Sequence, residues 1–123
     1  MIAIDTSSLR RWAEYLSGRD VEQVREAVRD GEAVLPPIVL TEALSKPALE
    51  QAFVDIVRRF ALMPVRDGHW RRAGELRAEI LRNGYKAKLA DVLIAQSCID
   101  HDVALITHDA DFRHFTVAGL KLA

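Results

Sequence analysis

Cysteine is nearly missing from this chain of 123 residues, and proline and glycine are sparse at four and six. The lone Cys98 excludes an intrachain disulfide framework and a cysteine-ligated zinc site. It fits a reducing compartment, and a cytoplasmic location is the expectation. No apolar run approaches the ~20 residues that cross a bilayer, and the start, MIAIDTSSLRRW, lacks the basic-then-apolar order of an export signal. No membrane role is expected. Charge of one sign is missing too: 17 Lys+Arg face 18 Asp+Glu, for a net charge of −1. That removes the overall basic field by which many nucleic-acid binders gather phosphates, and leaves such contacts to local patches. Repeats and low-complexity tracts are absent. Residues 1–123 therefore read as a single domain of ordinary length.

What is present is an alternation of short apolar runs and helical patterns. Met1–Ile4 is an apolar run ended by Asp5, Thr6, Ser7 and Ser8, residues that favour turns and helix N-caps. Leu9–Leu16 and Val21–Val28 have helical spacing, closed by Gly18 and by Asp30-Gly31. Ala33–Leu35 is a second strand candidate, and Pro36-Pro37 precedes a helix over Ile38–Leu44. Ala48–Arg59 is predicted helical, Phe60–Val65 a third strand, and Asp67 the cap of a long helix to about Arg82 with Trp70, Ala73, Leu76 and Ile80 inward. Leu89–Asp100 is an apolar helix, Val103–Ile106 a fourth strand and Gly119–Leu122 a short fifth. This order predicts an α/β fold with a parallel sheet covered by helices on both faces. Ligands of such sheets bind beyond the carboxyl ends of the strands.

Four acids fall near that edge. Asp5 follows the first strand, Glu42 lies in the helix after the second, Asp91 opens the helix that leads into the fourth, and Asp109 follows the fourth. All have strongly apolar neighbours, where a charge is costly. Taken singly, each has a structural explanation: Asp5 and Asp109 as turn or helix caps, Asp91 at the positive end of a helix dipole, Glu42 in solvent. Together they would repel and raise one another's pKa values unless a cation joined them. Oxygen-only ligands suit Mg²⁺ or Mn²⁺, and such an ion supports phosphodiester hydrolysis.

The segments IDTSSL, LTEAL, LADVLIAQ and LITHDADF, in that order and spacing, resemble the four motifs of the PIN-domain nucleases, and most closely those of VapC-type toxins of bacterial toxin–antitoxin pairs. The resemblance spans essentially the whole chain. It implies a three-layer α/β/α fold with a central parallel sheet of about five strands, and a Mg²⁺- or Mn²⁺-dependent endoribonuclease. Asp5, Glu42, Asp91 and Asp109 would hold the metal and activate water, with Thr6, Ser7 and Thr107 as supporting groups. Asp111 would be an auxiliary ligand or a structural cap. The partners implied are an RNA substrate, a cognate antitoxin and a second copy in a homodimer. Ser7 departs from the family, where many members carry Asn, and this puts one supporting hydrogen bond in question. With four acids assigned to an ion, 14 remain against 17 bases, so near-neutrality is compatible with an RNA substrate.

Lys86, Lys88 and Arg113 flank the acids in sequence and are candidates for gripping an RNA backbone; Arg10, Arg11, Arg71 and Arg72 are weaker ones, since basic residues on amphipathic helices usually face solvent. His69, His101, His108 and His114 show no zinc-ligand spacing. Trp12, Trp70, Phe53 and Phe60 read as core or dimer packing. A phosphoacceptor receiver domain and a haloacid-type phosphatase both need acids beside Asp5 that this chain lacks. The stronger alternative is a PIN fold that binds RNA or protein without cutting.

Overall fold

The computed structural model describes residues 1–123. Four strands, β1 (Ile2–Ile4), β2 (Ala33–Leu35), β3 (Ala61–Leu62) and β4 (Leu105–Ile106), form one sheet in the order β3-β2-β1-β4. Every pairing is parallel, with Ile2 opposite Ala33, Ala3 opposite Leu105 and Val34 opposite Ala61. The six α-helices are α1 (Thr6–Ala13), α2 (Arg19–Arg29), α3 (Pro37–Ala43), α4 (Gln51–Arg58), α5 (His69–Arg82) and α6 (Leu89–His101), and a 3-10 helix spans Ala110–Ala118. None is long and apolar enough to cross a membrane.

The parallel sheet needs its central strands buried on both faces, and the short apolar runs meet that need. Ala3, Ile4, Leu35, Leu105 and Ile106 are fully buried, in one core with Leu9, Val39, Ile80, Ile94, Phe112 and Phe115. Helix α1 packs on α2 and α3, and α6 on α3 and α5. Pro37 occupies the first turn of α3 with Pro36 at its N-cap, where a missing N–H costs nothing. Because β1 and β4 run side by side in the same direction, both end at the same edge, where Asp5 and Thr107 emerge.

Four elements differ from the sequence expectation. The tail Gly119–Leu122 does not become a full strand: Leu122 alone bridges Leu105, through hydrogen bonds from Leu105 N to Lys121 O and from Ala123 N to Leu105 O, both 2.9 Å. Gly119, at φ +107, turns the chain out of the 3-10 helix too late for more pairing. Strand β3 is only Ala61–Leu62 and both residues are exposed, as an unpaired sheet edge allows. Asp67 does not cap α5. Gly68 holds that position in the left-handed region, φ +81, and the Asp67 carbonyl instead accepts from Arg72 Nη1 at 2.9 Å. Trp70, expected to point inward, is 67% exposed. In the first turn of α5 it is His69 that takes the buried position, at 3% exposed, and Trp70 next to it is turned outward with its ring edge-on to His69.

Candidate active site

The site is built where β1 and β4 end. Asp5 leaves β1 directly into the N-cap of α1, the position at which a side-chain oxygen best satisfies a free helix N–H. Its Oδ1 accepts from Thr6 N at 2.7 Å, and its Oδ2 accepts from Ser7 Oγ and from Thr107 Oγ1, both at 2.8 Å. Asp5 is only 4% exposed. Burial drives its pKa above the ordinary value, the three hydrogen bonds pull it back in part, and Asp109 adds repulsion, so the net displacement is upward.

Thr107 joins two of the acids. Its hydroxyl donates to Asp5 and accepts from Asp109 N at 3.0 Å. Asp109 then caps the 3-10 helix, its Oδ1 accepting from Asp111 N at 2.9 Å. The cap is thus Asp109, and Asp111 contributes its backbone N–H. Glu42 comes from α3, its Oε1 accepting from Thr6 Oγ1 at 2.6 Å, while Arg10 Nη2 donates to the Glu42 carbonyl at 2.7 Å. Two residues of the DTSS turn thereby hold two different carboxylates.

Asp91, in the first turn of α6, ties the set together electrostatically. Its carboxyl is pushed up to about 6, first by burial and then by Asp5 and Asp109, with Glu42 adding a smaller push and Lys88 opposing. It senses all three other acids at once. No three side chains converge into a ready-made ligand cage; hydroxyl or N–H donors hold Asp5, Glu42 and Asp109 individually. The donors are carboxylate oxygens without nitrogen or sulfur, which fits a hard divalent cation such as Mg²⁺ or Mn²⁺.

The basic candidates separate into two groups. Lys86 and Lys88 are exposed in the segment before α6, with Lys88 at its N-cap. Arg113 is exposed on the 3-10 helix and shares with Arg19, Thr107, His108 and Asp109 a groove of about 340 Å³. Arg10 and Arg11, by contrast, are engaged within the fold: Arg11 Nε donates to Asp20 at 3.0 Å and its Nη2 to the Ser17 carbonyl at 2.8 Å. Arg72 grips Asp100 through two bonds of 2.9 and 2.8 Å. Arg71 faces Glu75 on the exposed side of α5.

Sequence reasoning missed Asp20. It is 4% exposed, accepts from Ser8 Oγ at 2.8 Å and from Arg11, and lies 3.6 Å from His108 Nδ1. It therefore braces α2 against both α1 and the loop that carries Asp109. The only signal was a polar pair 12 residues apart, which no helical or strand period produces.

Several solved structures share this architecture. VapBC2 from Rickettsia felis, bound to a DNA fragment from its promoter, aligns with a TM-score of 0.76 at 22% identity, covering 100% of this chain and 98% of that one. FitAcB from Neisseria gonorrhoeae gives 0.70 at 16% identity, with 99% and 96% covered. FitAB bound to the IR36 DNA fragment gives 0.68 at 18% identity, with 100% and 94% covered. At such identities the likeness is one of fold. No curated protein matches in sequence. The family model of the PIN domain matches residues 2–117, taking in all four acids, and the chain accordingly belongs to the PIN domain family.

Proposed function

We propose that this protein is a Mg²⁺- or Mn²⁺-dependent endoribonuclease and the toxin of a toxin–antitoxin pair. The observation that carries the reading is the meeting of four acids at one sheet edge: Thr107 joins Asp5 to Asp109, Thr6 ties the same turn to Glu42, and Asp91 is pushed up by burial and by all three. Asp5 and Asp91, both raised by burial and by acidic neighbours, are costly to ionise in a cluster held by packing alone and would be relieved by a bound cation. Asp5, Glu42, Asp91 and Asp109 would hold the ion. A bound ion of this class lowers the pKa of a water and stabilises charge on a phosphoryl oxygen.

The chain's own contribution is orientation. Ser7 and Thr107 fix the rotation of Asp5, Thr6 does the same for Glu42, and Thr107 sets the loop of Asp109. Hydroxyl donors favour the ionised carboxylates, the form that binds a cation. Lys86, Lys88 and Arg113, free of internal partners, would meet the RNA backbone and supply affinity without reading sequence. Arg10 and Arg11 act instead as braces. The fold shared with VapBC2 and FitAB complexes supports a partner protein for this chain, here a cognate antitoxin; a homodimer working in the cytoplasm completes the proposal.

The test is cleavage of a broad RNA panel by the wild type and by Asp5→Asn, with Mg²⁺, with Mn²⁺ and in excess EDTA. The wild type should cut only with metal, and Asp5→Asn should fold normally and not cut. Undiminished cleavage in EDTA or by Asp5→Asn refutes the mechanism, and a wild type that binds RNA but never cuts it favours the non-cleaving alternative. Expression with and without the neighbouring open reading frame addresses the biological role: growth arrest relieved by co-expression marks a toxin.

A further inference from the structure

Tyr85 is half exposed, and one face of its ring is stacked on His114, with ring centroids 4.4 Å apart and planes 21° from parallel. The segment that carries it is firmly held. Ala87 is buried and its carbonyl accepts from Arg77 Nε at 2.9 Å, while Tyr85 N bonds to the Ile80 carbonyl. With Ala87 anchored inward, Lys86 and Lys88 on either side are exposed. The stack also joins two stretches of chain that lead to the acids. Three residues after Tyr85, Lys88 caps α6, where Asp91 lies in the first turn, and His114 stands on the 3-10 helix that Asp109 begins.

A flat ring, backed by a second ring and flanked by two solvent-facing lysines, is the combination that proteins use to hold unpaired nucleic acid: bases stack on the aromatic and phosphates meet the cations. Duplex RNA keeps its bases stacked internally and offers no free face to such a ring. We infer that Tyr85, supported by His114, is a stacking platform for one unpaired base of the RNA substrate, with Lys86 and Lys88 on the adjoining phosphates. This rests on the nuclease reading for its substrate class and adds to it a residue that positions one unpaired base.

The test separates the two readings. Fluorescence anisotropy with a short labelled single-stranded RNA and its duplex, in an Asp5→Asn parent that does not cut, measures binding. Steady-state cleavage in the otherwise native protein measures KM and kcat. Tyr85→Ala should weaken single-strand binding ~10-fold, the order expected for one stacked base, leave the weaker duplex binding as it is, and place the cleavage defect in KM. Tyr85→Phe and His114→Phe, which keep the flat stack, should restore binding, and thermal unfolding should show Tyr85→Ala folded. The platform is refuted if Tyr85→Ala binds the single strand as its parent does, if single strand and duplex lose equally, or if the defect lies in kcat. Wild-type cleavage with an unchanged KM in Tyr85→Ala would leave the nuclease reading standing without the platform. A parent that binds single strands through Tyr85, beside a wild type that never cuts, would do the reverse. A parent that binds no RNA overturns the platform, and a wild type that also cuts none overturns both.

Discussion

Asp91→Asn should stabilise the metal-free protein. In the folded chain the Asp91 carboxyl is raised from 3.8 to about 6 by burial and by its acidic neighbours, so ionising it costs folding free energy. One pKa unit corresponds to about 1.4 kcal/mol, which puts the fully ionised cost at about 3 kcal/mol. Asp91 keeps some contact with water, and screening lowers this to roughly 1.5 kcal/mol. For a domain of this size that is roughly 5 °C in Tm.

The sign of the pH dependence follows from linkage. The unfolded carboxyl titrates near its ordinary value and the folded one near 6, so in that window the folded state binds more protons and stability falls as pH rises. The penalty is nearly absent below about pH 4 and complete above about pH 7. In EDTA at about pH 8, Asp91→Asn should therefore melt roughly 5 °C above the wild type, and the two should converge near pH 4. Saturating Mn²⁺ or Mg²⁺ should raise the wild-type Tm and leave the variant little changed, since the cation then balances the charges that repel. Differential scanning fluorimetry across pH, with and without metal, reads all of this. A variant less stable than wild type in EDTA at high pH, or a gap that stays the same at low pH, would refute the reasoning.

Further predictions concern other links in the same structure. Thr107→Val removes the hydroxyl shared by Asp5 and Asp109; cleavage should fall ~10-fold with ~1–3 kcal/mol of stability, and Thr107→Ser should recover most of both, as measured by single-turnover kinetics and chemical denaturation. Cys98 is buried, with its thiol pushed up to about 12, so a thiol-reactive dye should label it only in denaturant; rapid labelling of the native protein would contradict its placement. Phe112 is fully buried against Phe115, and Phe112→Ala should cost ~3–5 kcal/mol in urea unfolding; a loss below ~1 kcal/mol would mean that the 3-10 helix is not anchored as described.

Much of this was legible without coordinates because it depends on local spacing. The runs MIAI, AVL and ALI became β1, β2 and β4 within a residue or two, and Asp5, Glu42, Asp91 and Asp109 each took the place beside a strand or helix end that their neighbours suggested. The misreadings have local causes. Gly68 takes the left-handed cap position one residue after Asp67, and α5 therefore starts at His69, which takes the buried position of the first turn and leaves Trp70 outside. At the C-terminus the apolar Leu120 and Leu122 suggested a strand, but the chain leaves the 3-10 helix only at Gly119 and one bridge is all that forms.

Periodicity and turn chemistry in the sequence determine the α/β order, the parallel sheet and the edge at which the acids gather, because each follows from neighbours within a turn or a strand. Tertiary structure alone decided what those acids experience. Thr107 reaches Asp5 across 102 residues, Ser8 and Arg11 bury Asp20, and Tyr85 lies on His114. Whether a basic residue is a brace, as Arg10, Arg11 and Arg72 are, or is exposed without an internal partner, as Lys86, Lys88 and Arg113 are, was settled in the same way. A carboxyl's pKa depends on burial and on charges brought close by folding, and no spacing along the chain encodes those distances.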